Sequence, residues 1–187
     1  MRDVMKSRAL PQSIALFSAL FLLSFSLIGP ASARTSEAIT TVVKTGKTRP
    51  KPGDPFSMTI VPREKSFVFL FYVDDRDHAF SLYPGQSANY SIISREDPLT
   101  VDSITNNTIK VDSKKGKLIS VAVRYGKDGR KIKDLVLKNS DFNNKKPVKH
   151  SLSLTGKALI ERLEFMRADH PRILHYLVED APQAMPL

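Results

Sequence analysis

The run Ser66-Phe-Val-Phe-Leu-Phe-Tyr-Val-Asp74 constrains this chain more than any other segment. At a two-residue period Phe67, Phe69, Phe71 and Val73 share one side, and Val68, Leu70 and Tyr72 share the other. Both sides are apolar, so the strand has to be central and covered on each face. Lys117 to Tyr125 reads as a second buried strand, with Ile119, Val121 and Val123 on one face and Leu118 and Ala122 on the other. Phe56 to Ile60 alternates as a half-buried strand. The turn Asp74 to Asp77 returns the chain as a hairpin partner, His78 to Tyr83, ended by Pro84-Gly85.

Weaker signals fill in the rest. Short strands are expected at Tyr90 to Ile93 and, after a turn at Asn106-Asn107, at Thr108 to Val111. Lys127-Asp-Gly129 marks a hairpin turn, and Lys131 to Leu137 is either a strand or a helical turn. Thr155 caps a helix running to Asp169, whose apolar stripe is Leu159, Ile160, Leu163 and Met166. Asp169-His170-Pro171 breaks it, and Arg172 to Glu179 reads as a second short helix. The proline-rich stretch from Arg34 to Pro55 reads as an extended N-terminal arm. The prediction is a mainly β, α+β chain. Residues 56–154 form an antiparallel β-sandwich-like domain, two short C-terminal helices in 155–180 pack on it, and 181–187 is a loose tail.

The first 33 residues carry an address. Arg2, Lys6 and Arg8 precede an apolar run, Ile14 to Ile28, and Gly29-Pro30 interrupts it ahead of Ala31-Ser32-Ala33. This is the pattern of a secretory signal peptide cleaved after Ala33, with an uncleaved anchor as the alternative. The run falls short of the roughly 20 residues of a spanning helix, and no later segment is long and apolar enough to span. The expected location is therefore periplasmic or secreted. The chain has no cysteine, which removes disulfides, thiol nucleophiles and Cys-based metal sites from consideration.

Of the net charge of +10, almost all falls in one stretch. Arg34 to Ile109 balances nine basic against nine acidic residues, Lys110 to Lys149 carries thirteen against four, and the stretch from His150 onward four against five. The plain reading is a lysine-rich solvated face. The functional reading is a surface for an anionic partner outside the cytoplasm: a lipid headgroup, lipopolysaccharide, a wall polymer or an acidic protein. Its candidate residues are Lys114, Lys115, Lys117, Arg124, Lys127, Arg130 and Lys131, with Tyr83 and Tyr90 adding specificity. Nucleic acid is not expected, because no aromatics interleave with these lysines.

Lys51-Pro-Gly-Asp-Pro-Phe56, the aromatic strand ending in Asp74, and Phe80-Ser-Leu-Tyr-Pro-Gly85 follow one another in an order that resembles the DUF4384 family of bacterial exported domains. Gly116-Lys-Leu-Ile-Ser-Val-Ala-Val123 sits where those domains place a glycine followed by a buried strand. The resemblance covers about Lys51 to Tyr125. It implies a small β-rich domain of envelope or secreted proteins that binds rather than catalyses, and it supplies no agreed catalytic residues. Asp75-Arg-Asp-His78 lacks the glycine usual in that turn, and Gly85 stands where the family often has Asn.

Catalytic and metal patterns are weak. His170 and His175 turn about 140° apart on a continuous helix, a poor metal geometry, and His150 sits among lysines. Asp74, Asp75 and Asp77 beside His78 read as a solvated acidic turn, although three carboxylates could also hold calcium; the EF-hand pattern is absent. No nucleophile elbow and no phosphate-binding glycine loop is present. Glu161 and Glu164 read as a surface face paired with Arg162 and Arg167. The expectation is a non-catalytic binding or assembly module of the envelope without a cofactor. The alternatives are a secretion-system or virulence accessory that binds another protein, and a hydrolase with its site near His78.

Overall fold

The computed structural model describes residues 31–35, 38–45, 56–85, 91–102, 115–143 and 151–181. The expected leader up to Pro30, the strand at 108–111, Tyr90, Lys114, His150 and the tail beyond 181 lie outside these residues.

Among the described residues ten strands and two α-helices follow in the order β1 Ala31–Thr35, β2 Ile39–Thr45, β3 Phe56–Pro62, β4 Ser66–Asp74, β5 His78–Tyr83, β6 Ile92–Ile93, β7 Leu99–Asp102, β8 Gly116–Arg124, α1 Lys127–Val136, β9 Ser151–Thr155, α2 Gly156–Asp169 and β10 Leu174–Asp180. All pairings are antiparallel. The smaller sheet has the order β1-β2-β3-β7, and the larger β10-β8-β4-β5-β9, with β6 beside the start of β4. The architecture is β-rich α+β, a two-sheet sandwich with a helical layer on the outer face of the larger sheet.

β4 lies at the centre, and all nine of its residues are buried. Val68, Leu70 and Tyr72 meet Met58 and Ile60 of β3, Ile39 of β2, and Leu118 and Ala122 of β8 between the two sheets. Phe67, Phe69, Phe71 and Val73 meet Ile132 and Val136 of α1 and Leu159 and Leu163 of α2 on the other side. The β4 and β8 faces divide as the alternation predicts. Between the sheets the hydroxyl of Thr41 donates to Ser120 Oγ at 3.0 Å, which satisfies a buried polar pair. Thr155 caps α2 as expected, its Oγ1 accepting from Ala158 N at 3.1 Å.

Four segments differ from the sequence reading. The expected N-terminal arm, Arg34 to Pro55, holds β2 and the end of β1, which begins at Ala31 within the expected leader; Ile39-Thr-Thr-Val-Val43 is β-branched throughout, and its threonines conceal the strand from an apolar count. Arg172 to Glu179 is not a second C-terminal helix; Leu174 to Asp180 pairs with β8 over its whole length. The spacing of Leu174 and Leu177 fits a helix, but the segment is an edge strand partly covered on both faces. The second helix of the fold is instead α1, and Lys127-Asp-Gly129 is its first turn rather than a hairpin. Gly129 is there for closeness, since a Cβ on it would lie 1.9 Å from the Arg124 carbonyl oxygen. Finally, Arg162 pairs with buried Asp141 at 2.6 Å, tying α2 to the short 3₁₀ turn Asn139–Asp141 rather than lying in an exposed charge face.

Candidate functional site

The acidic turn is used by the fold. The Asp74 carboxylate is buried; its Oδ1 accepts from Arg76 N at 2.9 Å and His78 N at 2.7 Å, while Oδ2 lies 3.0 Å from His78 Nδ1. Asp77, at φ 66, accepts from Lys157 N at 2.9 Å through Oδ1 and from Gly156 N through its carbonyl. The turn thus caps the N-terminus of α2, complementing the partial positive charge there. Asp75, Asp77 and His78 are exposed, as a solvated acidic turn requires, but Asp74 is buried, and two of the three carboxylates hold backbone. Among the described residues no group of three or more His, Asp or Glu side chains is placed to hold a metal ion. Thr155, the hydroxyl residue opposite His78, is committed to the helix cap.

Next to this turn an open cleft of about 530 Å³ lies at one end of the larger sheet. Lys115 and Lys117 line it with Lys157, facing Asp74, Asp75, Asp77, Glu161 and Asp180. Carboxylates outnumber ammonium groups five to three, so these two candidate lysines stand in a field that does not favour an anion. Arg124, Lys127, Arg130 and Lys131 lie at the opposite end, because Lys117 and Arg124 are seven residues apart on β8, roughly 23 Å at strand rise. The expected basic stretch is therefore divided between two ends of one strand. Arg130 also stacks on the Tyr125 ring at 5.1 Å and donates to its hydroxyl. Tyr83 is half-buried, and its hydroxyl accepts from Ser91 N at 3.3 Å.

The arginine end is different. Arg63 and Glu64 in the β3–β4 crossover, Arg124 at the end of β8, and Arg172 and His175 around the α2–β10 turn line one cleft of about 130 Å³. Its walls are held by main-chain ties: Arg63 N to Ala38 O at 2.9 Å, Arg124 N to Ile173 O at 2.8 Å and Tyr125 N to Lys65 O at 2.7 Å. Ser66 Oγ donates to Glu64 O at 2.8 Å. Glu64 pairs with Arg124 at 2.6 Å, both side chains more than half exposed, a pair worth at most about 1 kcal/mol. Arg63 and Arg172 are exposed and have no carboxylate partner among the described residues. Three guanidinium groups thus face one carboxylate.

No family model matches this chain, and neither a curated protein nor a solved structure does.

Of the candidate residues that are described, only Arg124 lines the arginine cleft. Arg63 and Arg172 escape sequence reasoning because each lies in a stretch whose charges cancel or turn slightly negative. The linear signal for them is nil; the crossover between sheets and the α2–β10 turn bring them together.

Proposed function

We propose that the protein is an exported, non-catalytic binding module of the bacterial envelope, which recognises an anionic envelope component by its charge. The observation that carries this reading is the arginine cleft, where two guanidinium groups stand without a carboxylate partner among the described residues, on segments tied together by main-chain hydrogen bonds. The leader-like sequence up to Ala33 and the resemblance to DUF4384 domains support placement outside the cytoplasm. Lys127 and Lys131 on α1 extend the positive field beyond the cleft, and with it the capture of an anionic surface.

The test is retention of the protein, purified after export, on fractionated envelope and on anionic vesicles at low and high salt. The expected result is retention at low salt that falls steeply as the Debye length shrinks from about 10 Å at 0.1 M to about 3 Å at 1 M. Retention indifferent to salt would refute charge recognition and turn attention to a protein partner.

A further inference from the structure

We infer that the cleft lined by Arg63, Arg124, Arg172 and His175 is a subsite for a single phosphate monoester group. The inference rests on the anion-binding reading above and names the group it takes. At about 130 Å³ the cleft is well below the 300–1,000 Å³ typical of a site that encloses a whole organic ligand, so it admits one head group and leaves the remainder outside. Its donors are guanidinium forks, whose paired N–H groups match two oxygens of a tetrahedral oxyanion better than a lysine point charge does. They come from three separate segments, each fastened by a main-chain hydrogen bond, so the backbone anchors of the three arginines are in place before the ligand arrives. Arg63 and Arg172 supply the uncompensated charge. Glu64 is the resident competitor, because it holds Arg124 and repels an incoming anion.

That role for Glu64 separates a built subsite from a merely basic surface. Inorganic phosphate is titrated into the exported protein by calorimetry, in parallel with vesicles of phosphatidic acid and of phosphatidylcholine. Arg63→Ala and Arg172→Ala should each weaken phosphate binding about tenfold, the loss of one charge-assisted contact. Both residues are exposed and support no other group, so an unchanged melting temperature checks the fold. Glu64→Gln should tighten binding several-fold, whereas Glu161→Gln, which adds the same charge at the far cleft, should leave it unchanged.

Preference for phosphatidic acid vesicles over free phosphate would identify a lipid source, and equal affinity a soluble one; either agrees with the subsite. Equal effects of Glu64→Gln and Glu161→Gln, or arginine variants that bind as the parent does, would overturn it. If phosphate fails to bind while envelope retention stays salt-sensitive, the subsite falls and the broader function stands. Loss of both would refute both.

Discussion

At the scale of single residues, the polar groups that matter most are those that shape backbone. Asp74 serves three groups at once, and none of its partners is a substrate or metal. Asp74→Ala should lower stability by about 2 kcal/mol, since the donors left behind sit at a turn where water reaches them; a urea midpoint shift at unchanged slope would measure it. Tyr176 on β10 is a tyrosine whose ionisation shifts clearly. Its partial burial raises its pKa above the ordinary 10.0, Arg167 opposes the rise and Glu164 adds to it. The folded chain therefore holds that proton more tightly than the unfolded one. The contribution of Tyr176 to stability should be constant below about pH 10 and decline above it, as the unfolded chain releases the proton first. Ultraviolet titration should show a late phenolate step that Tyr176→Phe removes. The arginine cleft is the converse case: among the described residues the side chains of Arg63 and Arg172 hold no backbone, which is what leaves them available.

At the scale of elements, what could be read depended on whether pattern or company decides the structure. β4, β8 and α2 carry their own signal, either apolar on both faces or striped at helical spacing. β2 and β10 do not, because a threonine-rich strand and a half-covered edge strand take their structure from neighbours. α1 was hidden by Gly129, whose residue type signals a turn while its task is to let the helix start against β8. Gly129→Ala puts this to the test. In an exposed helix such a change gains about 1 kcal/mol of propensity. Here the new Cβ meets the Arg124 carbonyl oxygen, so thermal unfolding should move to lower temperature; a rise would mean that the approach is looser than 1.9 Å. The candidate site was the least legible part of the molecule. Charge density along the chain pointed to Lys110 to Lys149, but β8 carries that stretch to two opposite ends, and two of the three arginines that converge come from elsewhere.

At the scale of the whole molecule, two apolar cores lie on opposite faces of the larger sheet, and its central strand β4 serves both, as β8 does. Phe69 lies in the helical core and Leu70 in the inter-sheet core, one residue apart. Phe69→Ala should cost about 3–5 kcal/mol and weaken both cores together, so near-ultraviolet and far-ultraviolet dichroism should report one coincident transition. Phe165, 70% exposed on α2, should tolerate the same change within about 0.5 kcal/mol. Separate transitions would show that the layers fold independently. The shared strand has a further consequence. A half-buried strand has its register policed by polarity, since a one-residue slip turns polar side chains inward. A slip of β4 would merely exchange Phe, Phe, Phe and Val for Val, Leu and Tyr. Polarity is silent along this strand, so alignment depends on its two ends: Ser66 bonded to Glu64 O, and Asp74 clamped in its turn beside the Tyr72 ring that occupies the space over Gly116. Damage to those ends would therefore show itself less as weakness than as ambiguity, a chain with more than one way to be nearly right.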